Sequence, residues 1–319
     1  MKRPLLAAML GLLMVCTPWS TLAQTKHGYA LTPRAIAPGT WVLEGAVDDF
    51  RPANGCNIIN TAFIATGAGV VVVNTGPSRQ YGEQQRQAIA RVTDEPVLRV
   101  LNLNLHPDYF FGNQAWVDRP TAALAGSIAG MVAEGPSYAT NLYRLCGDAM
   151  AGTEPTPARD ALTPGPWPLG THRLELLRLE GHTGDDLVLL DHSTGVVFAG
   201  GLVFAQRVPT TPHADFTRWL ASLQRLQALV GEDSVVVPSH GPVHTGHAGI
   251  AQTRDWLQWA QATMAQAAEQ GQDIGELMRQ PLPERFATWA AQPAEWHRTL
   301  AQFYPGHEAR ALLRAAPRQ

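Results

Sequence analysis

The chain carries little charge: Asp, Glu, Lys and Arg make up 16% of its 319 residues, and the net charge is −3 with both signs interspersed. No basic stripe and no cluster of basic and aromatic residues is present, so nothing points to a nucleic-acid partner. Beyond the N-terminus no apolar run is long enough to cross a bilayer. Gly-x-Ser-x-Gly is missing, which excludes a serine nucleophile elbow. No glycine-rich phosphate loop or dinucleotide fingerprint follows a strand, and no repeat of fixed period occurs. Cysteine is scarce, with 3 in the chain.

Hydrophobic residues, at 45%, supply enough material for a sizeable core. At the N-terminus, Lys2 and Arg3 precede an apolar run from Leu5 to Val15 and then Thr21-Leu22-Ala23. That order predicts a signal peptide over residues 1–23, cut after Ala23, and a periplasmic mature chain free of the membrane. Val15 is a poor neighbour for lipidation of Cys16. Cys56 and Cys146 then remain, and an even number in an exported chain permits one disulfide. Two buried thiols are the alternative, because pairing depends on how close the α-carbons lie.

Short strands are predicted at Trp41–Leu43 and Asn57–Ile64, around a turn at Pro52–Gly55. The run Gly69–Asn74 reads as a fully buried strand from its density of valine. Ser78 is placed to cap a helix reaching about Arg91, and Pro96–Leu103 is the next buried strand. A helix over Ser127–Met150 is expected to break near Gly135-Pro136. A loop from Gly152 to Gly170 follows it. Strands are predicted at Arg173–Leu179, Leu187–Asp191, Val196–Ala199 and Ser234–Val237, with a helix over Phe216–Leu229 before the last. From about Gly246 the chain reads as helical, with a packing stripe at Ile250, Leu257, Met264 and Ala268. Two strand-rich groups, each with helices, suit two packed sheets with helices outside.

Four segments place polar residues or tight turns at strand ends, where a rigid sheet can aim them at one point. They are Asn104-Leu105-His106-Pro107-Asp108-Tyr109, Gly181-His182-Thr183-Gly184-Asp185-Asp186, Ala199-Gly200-Gly201-Leu202-Val203-Phe204 and Pro238-Ser239-His240-Gly241-Pro242. Their order and separation resemble the metallo-β-lactamase superfamily, whose first motif is His-x-His-x-Asp-His, followed by a His, a bridging Asp or Cys, and a final His. The segments 54–81, 107–116, 141–154 and 203–215 look like the quinoprotein relay system zinc metallohydrolases.

The resemblance implies an α/β, four-layer αββα sandwich over residues 24–245, with a C-terminal helical extension over 246–319 packed on the same domain. It implies zinc ligands at His106, Asp108, His182 and His240, with Asp108 or a metal-bound hydroxide activating water. A catalytic zinc keeps three protein ligands and a water, whose pKa it lowers. Against that pattern Asn104, Tyr109 and Gly201 stand at three ligand positions, and Asn74 replaces a supporting aspartate. Each substitution removes an imidazole or a carboxylate. The expectation is at most one zinc ion, a small-molecule substrate or ligand, and a periplasmic quinoprotein as partner. A hydrolase of ester, thioester or amide bonds and a catalytically silent binding or accessory protein both remain open. His213 reads as a surface-loop residue able to reach the pocket, and Asp185 and Asp186 as turn residues or supports for His182.

Overall fold

The computed structural model describes residues 27–315; the predicted signal peptide lies outside them. The first sheet runs, in spatial order, β1 (Arg34–Ala37), β2 (Thr40–Leu43), β3 (Thr61–Ala65), β4 (Val70–Val73), β5 (Val97–Leu101), β6 (Thr121–Ala123) and β7 (Asp160–Ala161). Strands β1 to β4 are antiparallel and β4 to β7 parallel. The second sheet holds β8 (Gly165–Leu169), β9 (His172–Leu179), β10 (Asp186–Asp191), β11 (Val196–Phe204), β12 (Val235–His240) and β13 (His244–Thr245). Only β11 and β12 pair in parallel there. The helices are α1 (Arg79–Ala90), α2 (Pro107–Phe110), α3 (Ala125–Cys146), α4 (Phe216–Leu229), α5 (Ala248–Glu269), α6 (Ile274–Arg279), α7 (Glu284–Ala287) and α8 (Ala294–Ala315).

The period-2 direction of strand side chains divides the core into layers. Val71 and Val73 meet Leu187, Leu189 and Phe198 between the two sheets. Val70 and Val72 point the other way, onto Ile89 of α1 and Trp116. On the far side, Val188, Leu190 and Val197 lie under Trp219 and Leu223 of α4, Leu257 of α5 and Leu300 of α8. Strands apolar on both faces need cover on both, so the αββα sandwich with C-terminal helices expected from the sequence is what forms.

Ser78 caps α1 as predicted, its hydroxyl accepting from the Tyr81 amide at 3.1 Å. The helix at 127–150 does not break at Pro136. It runs unbroken through that proline to Cys146, and a 3-10 turn covers Gly147–Met150. Pro136 and Val132, whose carbonyl loses its amide partner, are both exposed, so water takes up the free acceptor. The loop at 152–170 contains β7 and β8; the prolines of β8 lie exposed on a sheet edge, where no amide is required. The strand predicted from Asn57 begins only at Thr61. Strands β11 and β12 run past their predicted ends, because parallel pairing continues to Phe204 opposite His240. Cys56 and Cys146 are joined, with α-carbons 5.8 Å apart, tying the loop before β3 to the end of α3.

Candidate functional site

Each polar segment emerges at the same end of the sandwich. Asn104 to Asp108 follow β5 and lead into α2, His182 follows β9, Gly201 lies within β11, and His240 ends β12. His106, Asp108, His182 and His240 all line one cavity of about 580 Å³, closed by α3 on one side and α8 on the other. Asn104 and Tyr109 are fully buried beside it.

Asn104 organises the first motif. Its Oδ1 accepts the His106 amide at 2.9 Å, which turns its Nδ2 towards His182 Nδ1 at 3.3 Å. An amide nitrogen can only donate, so of the two contacts at His182 Nδ1, this one and Asp186 Oδ1 at 3.5 Å, the shorter makes Nδ1 the acceptor and leaves the hydrogen on Nε2. That Nε2 is buried without a partner. Asp186 holds the turn beneath, accepting the amides of His182 and Thr183 at 3.1 and 2.8 Å. Asp185 instead accepts the Gly126 amide and pairs with Arg178, away from the cavity.

The His106 ring lies 4.7 Å from that of His182, and its Nε2 is 3.0 Å from His213 Nδ1. Burial, with the neighbouring His182, His213 and His240, holds its pKa well below the usual imidazole value. His240 donates from Nδ1 to the Ile58 carbonyl at 3.0 Å and stacks on Phe204 at 5.0 Å. Burial and the Arg207 charge keep it neutral as well. Its Nε2 therefore presents a lone pair to Asp108 Oδ2 at 3.4 Å, an oxygen with no hydrogen-bond partner. Burial raises the Asp108 carboxyl to about 7.

At the positions where ligands are substituted, the protein has closed up. A Cβ at Gly201 would lie 2.0 Å from His182 Nδ1 and 2.8 Å from Asn104 Nδ2, so the His182 ring occupies the space above this glycine. The Tyr109 hydroxyl is buried without a hydrogen bond, and burial pushes its pKa well above the usual value, so it stays a phenol. Asn74 sits at φ 59° and accepts the Leu103 amide at 3.0 Å, a left-handed position that asparagine tolerates.

A zinc centre needs three lone pairs aimed at one point. Among the described residues no three His, Cys, Asp or Glu side chains are grouped to hold a metal ion. The His106 Nε2 is engaged with His213, Asn104 presents its amide nitrogen, and Tyr109 stays a phenol. As placed, the donors do not fit a zinc site.

One contributor was read from the sequence as a surface-loop residue able to reach the pocket, and a second was missed. His213 is exposed as a residue yet bonds to His106, and α8 supplies Glu295, Arg298, Ala301 and Gln302 to the cavity wall. The loop Thr211-Pro212-His213 was a weak signal for the first; for the second no local signal exists.

A family model described as the metallo-beta-lactamase superfamily matches residues 54–240. Among solved structures, a metallo-beta-lactamase from Pontibacter korlensis superposes with a TM-score of 0.58 at 23% identity, over 72% of this chain and 99% of that one. One from Hirschia baltica gives 0.56 at 17% identity, over 71% and 97%. The metallo-beta-lactamase FIM-1 from Pseudomonas aeruginosa, in a mono-zinc form, gives 0.57 at 21% identity, over 75% and 99%. No curated protein matches the chain.

Proposed function

Given that the chain belongs to the metallo-β-lactamase superfamily, we propose that it is an exported, periplasmic hydrolase of a small ester, thioester or amide. The observation that supports this is that two buried polar atoms without hydrogen-bond partners, Asp108 Oδ2 and His182 Nε2, belong to residues lining one cavity. Buried polar atoms are almost always satisfied, and two exceptions on the wall of one cavity are explained by a ligand that supplies their partners.

On this reading the carbonyl of the scissile bond enters the cavity and its oxygen accepts from the His182 N–H. Asp108, whose raised pKa matches a base working near neutral pH, takes a proton from the attacking water. The proton then passes to the departing alcohol, thiol or amine. Zinc would add Lewis-acid polarisation, but the donors as placed do not assemble it.

One observation favours a second reading, a binding or accessory protein that contacts a quinoprotein. The packing of His182 over Gly201 is that of a site rebuilt around the loss of a metal ligand. The quinoprotein link rests on the resemblance of the short segments named above.

One experiment decides between them. The purified protein is dialysed, its zinc content measured, and hydrolysis of naphthyl esters and thioesters followed with and without added zinc. The hydrolase reading expects turnover that Asp108→Asn lowers by about 100-fold or more, the range of a lost general base. Ester binding with no turnover under either condition would leave only the binding protein.

A further inference from the structure

The family match ends at residue 240, yet one wall of the cavity comes from α8, more than fifty residues later in the chain. This helix has Trp296, Leu300 and Tyr304 buried in the core, and a second, polar stripe fastens it at the cavity. Glu295, Arg298, Thr299 and Gln302 fall at i, i+3, i+4 and i+7, the spacing of one helical stripe. Glu295 Oε1 accepts from Arg207 at 3.1 Å and from Thr210 at 2.8 Å. Arg298 pairs with Asp49 and, at 2.9 Å, with Glu295. Thr299 bonds Thr211 at 2.9 Å, and Gln302 donates to the Pro212 carbonyl at 3.0 Å. Of these partners Arg207, Thr210, Thr211 and Pro212 lie on the loop that also carries His213.

The charges of this cluster cancel. Arg207 and Arg298 are matched by Glu295 and Asp49, and Arg207 is buried with its donors engaged. Arg298 is the one arginine on the cavity wall, and no lysine occurs after residue 26. Much of the remaining wall is apolar, over Phe50, Ile58, Leu142, Leu145 and Ala301, and its further polar members Asn141, Thr210, Thr211 and Gln302 are uncharged. A carboxylate entering here would lose its hydration and meet no free cation.

We propose that α8 is the specificity-determining wall of the cavity, and that it selects an uncharged carbonyl compound with an apolar tail over any anionic counterpart. This rests on the cavity being the working site, but not on turnover. A volume of about 580 Å³ suits a ligand of that kind.

The test uses β-naphthyl butyl ketone, which cannot be hydrolysed, and its analogue bearing a carboxylate at the end of the butyl chain. Calorimetric titration of the full-length protein should show the ketone binding at least about tenfold more tightly than the carboxylate. Ala301→Trp, at an exposed helix position, should weaken ketone binding about tenfold or more while leaving the thermal melt unchanged. Arg298→Ala should not improve ketone binding. Equal or tighter binding of the carboxylate, no ketone binding, or an Ala301→Trp protein that binds the ketone as the parent does would each overturn the proposal. If the ketone binds as expected and esters are not turned over, this proposal stands and the hydrolase reading falls.

Discussion

At position 201 an added methyl group would sit 2.0 Å from His182 Nδ1, on a ring whose flanks are packed against aromatic side chains. Trp219 lies 5.1 Å from that ring and Phe204 5.6 Å. The ring cannot swing away without displacing a buried aromatic, so strain stays local. Gly201→Ala should destabilise the protein by about 1–3 kcal/mol, read as a lower urea midpoint at constant slope. An unchanged midpoint would mean that His182 is free to move. The same contact shows why Asp at this position would not by itself rebuild a metal ligand. The carboxylate and the imidazole would compete for one space.

At the scale of elements, the pocket is held by clamps between distant segments. The Cys56–Cys146 bridge spans a sequence separation of 90 and joins the loop carrying Ile58 to the helix carrying Leu142 and Leu145. Both cysteines are buried, so the bridge also fills core volume among Phe110, Phe111 and Met150. Cys146→Ser should lower stability by about 2–5 kcal/mol, measured by chemical unfolding, and should widen the pocket mouth. Equal stability of the variant and the parent would show that the bridge constrains little. Strand β12 shows the same economy of position: its pairing with β11 to the last residue places His240 over Phe204.

For the whole molecule, the buried titratable groups of the cavity set an acid sensitivity. His106 and His240 are held below the ordinary imidazole pKa by burial, so the unfolded chain binds more protons than the folded one once pH falls below about 6.5. Stability from these groups is present above that pH and lost as pH falls. Asp108 acts in the opposite sense. Its folded pKa, raised to about 7, makes its contribution largest in acid and lost as pH rises from the ordinary carboxyl value through 7. Two imidazoles oppose one carboxyl, so the melting temperature should drop between pH 6.5 and 4.5. In Asp108→Asn the drop should be steeper, because the opposing carboxyl is gone. A melt that is flat over this range would mean that the two histidines are not buried as neutral groups.

Much of this architecture was legible in the sequence because it rests on local rules. The four valines of β4, the Ser78 cap and the Phe216–Leu229 helix each declare themselves within a few residues, through alternation, capping or helical period. The four polar strand ends were visible for the same reason, and the tertiary structure brings His106, Asp108, His182 and His240 to one cavity. Pro136 misled because whether a proline breaks a helix depends on what lies outside the carbonyl it strands, and here that is water. His213 reads as an ordinary loop residue until the fold brings it to His106, 107 residues earlier. The contribution of α8 was not visible, since its stripe of Glu295, Arg298, Thr299 and Gln302 acquires meaning only from the loop it meets. Chain-local periodicity and strand-end chemistry determined the layers and the residues offered to the site. Which lone pairs stay free, which tautomer His182 holds and which helix walls the pocket were decided by packing between segments far apart in the chain, because hydrogen bonds and steric contacts depend on distance in space.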